Sequence, residues 1–290
     1  MRRDSRYPLL LKAEPGEVYQ SLTAEEAEWS YLNFIARTLK NGAFWSFDTG
    51  DNECAIVLLG GICSVQSSKG EWRHIGRRPT VFSGMPYALY LPRHTEFTIT
   101  AKGDLDFACG WCPANQDFAP YLVQPVDVPV EIRGGGNATR QINGILPPGS
   151  PCQRLVVVEV YTPSGSWSSY PPHKHDMHRE SDSGEILEAD LEEIYFYKID
   201  KPGGFAIQRV YSDDRSLNEV AVAENNDIVL VPKGYHPVAA APGYNVYYLN
   251  FLAGSAQSLA NRDDQSHTWL QSEWPEKDPR LPLVSLDMEK

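Results

Sequence analysis

The chain of 290 residues is short of cysteine, of positive charge and of long apolar runs. Its five Cys, an odd number at low density, argue against a disulfide framework. Only 26 Lys and Arg stand against 38 Asp and Glu, a formal net charge of -12. A chain of that sign repels phosphate backbones, which excludes nucleic acid as the expected partner. No stretch of about 18 consecutive apolar residues occurs, so no helix is expected to cross a membrane. The opening run Met1-Arg2-Arg3-Asp4-Ser5-Arg6-Tyr7-Pro8 has no apolar segment of signal-peptide type behind it, and the expected location is the cytoplasm. Helical signals are few as well. What the chain does have is Gly and Pro at 22 each and 15 Tyr, a balance that favours short strands joined by tight turns. With 42% apolar and 22% charged residues the composition is that of an ordinary globular protein.

The exception to the strand pattern is residues 22–40, where Thr23 and Glu26 form a capping-box pattern that predicts a helix with Ile35 and Leu39 on its apolar stripe. From Trp45-Ser46-Phe47 onward β-like runs dominate. They include Ala55 to Leu59, Tyr87 to Leu91, Leu155 to Val160, Glu193 to Tyr197, Ile228 to Val231 and Val246 to Leu249. A glycine-rich joint, Gly134-Gly135-Gly136, and the run Leu146-Pro147-Pro148-Gly149 divide the chain. The expected organisation is an N-terminal β-domain over residues 1–145, a second over 146–270 and a tail over 271–290. Residues 176–192 are acidic and read as a surface insertion. A faint repeat aligns Leu89-Tyr90-Leu91-Pro92-Arg93 with Val229-Leu230-Val231-Pro232-Lys233 and sets Glu96 against His236.

Chemistry concentrates in the second half. In Pro172-His173-Lys174-His175 two imidazoles at i and i+2 share one face of a strand and can converge on one ion. Alone, such a pair reads as readily as two exposed histidines in a polar loop. Glu193 opens a β-run whose face it shares with Tyr195 and Tyr197, and a carboxylate there is costly to bury unless paired or metal-bound. His236 follows a strand and the turn Pro232-Lys233-Gly234. Three imidazoles and one carboxylate suit Zn²⁺ or Mn²⁺, with Fe²⁺ as a further option, and leave positions open for a ligand.

The order H-x-H, E, then P-x-G and H resembles the metal-ligand set of the cupin superfamily, although the gap from His175 to Glu193 is long and that from Gly234 to His236 one residue short. Three longer segments, Trp167 to Asp176, Gly204 to Tyr211 and Val231 to Val238, together with Gly136 to Gln141, resemble the 5-deoxy-glucuronate isomerases of myo-inositol catabolism. These belong to one bicupin family with the 5-keto-4-deoxyuronate isomerases. The resemblance implies an all-β fold of two tandem cupin-type barrels, the first without metal ligands. It also implies His173, His175, Glu193 and His236 as ligands of one divalent ion, and an aldose–ketose isomerisation of a sugar acid. A metal-dependent dioxygenase and a non-catalytic sugar-acid-binding cupin are the competing readings.

A carboxylate-bearing substrate calls for a cation. Arg209 is the first choice, with Lys174 and Lys233 behind it; a surface ion pair is the competing reading for Arg209. Tyr195, Tyr235 and Tyr248 are candidates for hydrogen bonds to sugar hydroxyls or for proton transfer, with core packing as the alternative. Cys109-Gly110-Trp111-Cys112 fits a redox C-x-x-C pattern, but on a continuous strand its sulfurs would face opposite sides. Apolar strand edges leave room for a homo-oligomer.

Overall fold

The computed structural model describes residues 8–289, so the basic run Met1–Tyr7 lies outside the described residues. Strands make almost all the regular structure, as expected. One eight-stranded sheet is drawn from residues 18–123. A second takes Leu10–Leu11 and strands from residues 130–254, and a four-stranded sheet closes against it. The change of sheet therefore comes earlier than the boundary read from sequence. Val130–Arg133 pairs with Arg140–Leu146, which pairs in turn with Val156–Thr162. Gly134-Gly135-Gly136 is the bend of that hairpin rather than a linker between domains. Only glycine suits its first position, since Gly134 has φ +89° and a Cβ there would stand 2.1 Å from the Ala138 carbonyl oxygen.

The expected helix in residues 22–40 is corrected. The capping box does form: Thr23 N–H donates to Glu26 Oε2 at 2.8 Å and Glu26 N–H to Thr23 Oγ1 at 3.2 Å. It sustains only one turn. Glu28 takes φ 55°, and Asn33–Leu39 joins the first sheet beside Glu96–Pro113, burying Phe34 and Ala36 on one face. Tertiary pairing outweighs a local helical signal here.

Apolar side chains form three cores. One fills the first barrel around Cys54, Ile56, Leu58, Phe97, Phe107 and Cys109. Another fills the second barrel around Val158, Tyr195, Tyr197, Val229, Val231 and Tyr248. The third lies between the two large sheets, where Phe34 meets Phe196 and Phe251 with ring centroids 5.6 Å apart in each pair. Glycine at position 110 is required by this contact, because a Cβ would stand 2.4 Å from the Phe251 ring. Cys109 belongs to the first-barrel core and Cys112 to the layer between the sheets. The two thiols thus face opposite sides of one strand, which removes the redox reading.

The faint repeat is a structural one. Leu91 pairs with Cys54 and Val231 pairs with Glu193, so Cys54 occupies in the first barrel the place of Glu193 in the second. The preceding residues are both glutamates and act reciprocally. Glu53 accepts backbone N–H bonds from Gln153, Arg154 and Leu155 at 2.6–2.9 Å. Glu192 accepts them from Ser30, Tyr31 and Leu32 at 2.7–2.9 Å. Each half thereby ties down the segment that leads into the other half's corresponding strand. Glu96, aligned with His236 in the repeat, is exposed rather than buried.

A buried ion pair also crosses the central layer. Arg78 Nη2 donates to Glu159 Oε2 at 2.9 Å, and Asn143 and Tyr247 donate to the same carboxylate at 2.9 and 3.1 Å. Removing one partner leaves the other charge buried and unpaired. Arg78→Met is expected to lower unfolding stability by about 3–5 kcal/mol in urea titrations; a loss below about 1 kcal/mol would show that the pair does not hold the layer.

Candidate metal centre

Three of the four side chains expected to bind metal meet inside the second barrel. His175, Glu193 and His236 place one ligand atom each within 4.8 Å of one another, and all three residues are buried. Their positions follow from local backbone geometry. Glu193 faces inward from the strand Ile186–Ile199, beside Tyr195 and Tyr197. The long gap before it is a hairpin formed by Asp176–Glu180 and Ile186–Ile199, which accounts for the acidic insertion. His236 follows Gly234, where φ is +92° and a Cβ would lie 2.5 Å from the Tyr211 carbonyl oxygen. Asp176 Oδ1 accepts the Gly234 N–H at 2.7 Å and pins this turn to the segment that carries His175.

The tautomers can be read from the hydrogen bonds. A backbone carbonyl only accepts, so His175 Nδ1–H donates to Leu191 O at 3.1 Å and His236 Nδ1–H donates to Gly234 O at 2.7 Å. Both Nε2 atoms then carry lone pairs. They lie 2.9 and 3.3 Å from the same Glu193 oxygen, Oε2. His236 Nε2 is fully buried, and among the described residues no hydrogen-bond donor satisfies it. Lone pairs of two neutral imidazoles converging on a carboxylate oxygen repel unless a cation or proton stands among them. The donor set fits a divalent ion.

His173 stands beside this group rather than within it. Its ring centroid is 4.8 Å from that of His236, and one ring nitrogen bonds the Pro171 backbone. Burial, followed by the neighbouring His236, His175 and Arg140, holds His173 well below the ordinary imidazole range. Burial also lowers His236, partly offset by Glu193. Both rings are therefore held in the neutral form that ligates metal.

Among the other candidates, Tyr195 and Tyr248 lie at the site. The Tyr195 ring is 5.8 Å from His236, and the two phenols approach Ser169 Oγ at 3.2 and 3.4 Å. Burial raises both phenols, so they remain protonated hydrogen-bond donors. Arg209, Lys174 and Tyr235 are corrected. Strand alternation turns Gln208 inward, where it accepts from Tyr197 Oη at 2.8 Å, and turns Arg209 outward. Arg209 binds Asn218 Oδ1 at 2.8 Å and lies 4.3 Å from the Tyr211 ring. Lys174, between the two histidines, faces away from them and pairs with Asp213 and Asp176. Tyr235 lies against Lys174 and Tyr211 and donates to Asp213 Oδ1 at 2.9 Å. Lys233 is half-buried on the turn before His236.

Sequence reasoning passed over Arg140, Ser169 and Asp263. A cavity of about 220 Å³ beside His173 is lined by Arg140, Arg133, Tyr170, Asp263, Gln271 and Trp274 among others. Arg140 lies within the segment Gly136 to Gln141 that carries part of the family resemblance, and that placement is the available signal. Asp263 comes from the last stretch of the expected second domain, where the two-residue strand Arg262–Asp263 pairs with His173–Lys174. Burial pushes its carboxyl up from the usual range.

Comparison with known proteins shows what the chain is similar to. The model of the KduI/IolB family matches residues 9–270. A 5-deoxy-glucuronate isomerase of Geobacillus thermodenitrificans is 43% identical over 258 residues, covering 89% of this chain and 92% of its own length. That of Bacillus subtilis strain 168 is 35% identical, with 88% and 93% covered. The crystal structure of an IolB-like protein from Salmonella typhimurium LT2 superimposes with a TM-score of 0.87 at 38% identity, covering 91% of this chain and 99% of that one. Oxalate decarboxylase of Bacillus subtilis, at 12% identity and a TM-score of 0.57 over 90% of this chain and 77% of that one, shares the fold.

Elemental analysis of protein purified without added ions tests the centre. His236→Ala is expected to cut bound divalent metal more than about tenfold, while Cys109→Ser leaves it unchanged. Equal metal content in both variants would end the assignment.

Proposed function

The chain belongs to the KduI/IolB family, and from that premise we propose that it is a metal-dependent aldose–ketose isomerase. The reaction converts 5-deoxy-D-glucuronate to 5-dehydro-2-deoxy-D-gluconate in inositol degradation. The observation that supports this most directly is the convergence of two tautomer-fixed imidazoles on Glu193, under hydroxyl groups and beside an Arg-lined cavity.

The chemistry asks for a proton to leave the carbon beside a carbonyl and return at the neighbouring carbon. A divalent ion, Zn²⁺ or Mn²⁺ with Fe²⁺ as the remaining option, would be held by His175, Glu193 and His236 with His173 beside them. It would supply Lewis-acid stabilisation of the charge that develops on oxygen. Tyr195 and Tyr248 hold their protons and can donate to substrate oxygens. No redox change is required, so O₂ has no part in the reaction.

Among the described residues no helix is long and apolar enough to cross a membrane. The working place in this reading is the cytoplasm. Val220 and Val222, exposed on the strand Asn218–Glu224 at the edge of its sheet, support self-association.

Metal-loaded protein incubated with 5-deoxy-D-glucuronate is expected to form ketose by NMR without O₂ uptake. Chelation should abolish this, and added divalent ion should restore it. Oxygen consumption would point instead to a dioxygenase, and binding without ketose to a sugar-acid sensor; either result would overturn the isomerase reading.

A further inference from the structure

We propose that Arg140 grips the carboxylate of the substrate and so selects sugar acids over neutral sugars. This rests on the isomerase reading and deepens it. Arg140 is only 6% exposed, yet among the described residues no Asp or Glu forms an ion pair with it. Its one hydrogen bond among the described residues runs from Nη1 to the Tyr170 backbone oxygen at 3.0 Å. The remaining N–H groups belong to a side chain that lines the cavity beside His173. A guanidinium withdrawn from water without a counter-ion is costly, and an anion entering the cavity relieves that cost.

The surroundings favour a carboxylate. Arg133 lines the same cavity but is already engaged, donating to Glu131 through Nε at 2.8 Å and Nη2 at 2.6 Å. Asp263 is the acid of the lining, and its Oδ2 accepts from Gln271 at 3.0 Å. With Arg133 offset by Glu131, Arg140 and Asp263 are the charged groups left in the lining. Gly134 makes room for the group, because a Cβ there would stand 3.2 Å from Arg140 Nη1. A planar fork with free N–H groups matches a carboxylate in two parallel bonds. The other cations considered are placed differently: Lys174 is taken by Asp213, and Arg209 faces outward. A uronate carries its carbonyl and its carboxylate at opposite ends. The centre at Glu193 would then receive the carbonyl end while Arg140 takes the other.

Steady-state kinetics of metal-loaded Arg140→Gln and Arg140→Lys test this. For 5-deoxy-D-glucuronate, Arg140→Gln should raise KM about 10- to 100-fold with a much smaller change in kcat. Arg140→Lys should recover part of the loss, and metal content should stay at the wild-type level. The preference for the acid over 5-deoxy-D-glucose should collapse in Arg140→Gln. Arg209→Gln is the control, with KM unchanged. An unchanged KM in Arg140→Gln, equal losses on acid and neutral sugar, or a loss of metal would overturn the proposal. If wild-type protein does not turn over the uronate, the isomerase reading fails separately. Calorimetric binding of D-glucuronate against D-glucose then still decides the role of Arg140: the acid should bind tighter to wild type and lose that advantage in Arg140→Gln, and an equal preference in both proteins would refute it.

Discussion

Three lone pairs aimed at one another are the constraint around which the second barrel is arranged. His175 and His236 each spend Nδ1–H on a backbone carbonyl, which fixes ring and tautomer together and commits Nε2 to the interior. Glu193 Oε2 sits between them at 2.9 and 3.3 Å. Left bare, the arrangement is an electrostatic conflict in a region of low dielectric; with a cation it becomes a chelate. The fold thus keeps a locally unfavourable arrangement whose relief is ligand binding. Such an arrangement requires rigid support, since mobile side chains would simply turn apart.

That support comes from covalent and hydrogen-bonded geometry around the site more than from apolar packing. Gly234 allows the backbone to pass against Tyr211 and presents its carbonyl to His236, while its N–H is held by Asp176. Asp176 lies one residue after His175, so the two segments that supply these histidines are tied to each other at the site itself. Below them the phenols of Tyr195 and Tyr248 share Ser169. Further out, Glu192, next to Glu193 in sequence, points to the opposite side and binds the backbone of residues 30–32 in the other half. Adjacent glutamates on one strand therefore divide two tasks by alternation: one faces the centre and one clamps the two halves together.

Much of this was legible in the sequence because the signals were local. The i, i+2 spacing of His173 and His175, the alternation of Glu193 with Tyr195 and Tyr197, and the glycine before His236 each carry their geometric consequence within a few residues. The β-rich fold was legible for the same reason. What escaped depended on distant partners. The capping box at Thr23 is real but is outweighed by pairing of Asn33–Leu39 with a strand some seventy residues away. Arg209 is a cation on the right strand, but its facing depends on which alternate residue the barrel buries, and that residue is Gln208. Arg140 lies on a hairpin whose bend is the glycine run, which in sequence alone reads as a break between domains. Asp263 reaches the cavity only because the chain after the last long strand folds back to pair with His173.

The first barrel shows what the same scaffold does when the constraint is absent. Cys54 stands where Glu193 would be, and its neighbours Ile56, Leu58, Phe97, Phe107 and Cys109 fill the interior. A buried carboxylate without a cation would be costly there, so a thiol that behaves as a small apolar group suits the position. The glutamate before it has nevertheless been kept in its clamping role, because that role concerns the joint between the halves and not the barrel interior. The inward-facing position thus holds a ligand candidate in one half and core in the other, while the residues facing the joint meet a demand both halves share. This asymmetry explains why the repeat is faint in sequence yet plain in strand pairing: pairing and clamping preserve the architecture, and only the inward face records which half carries the chemistry.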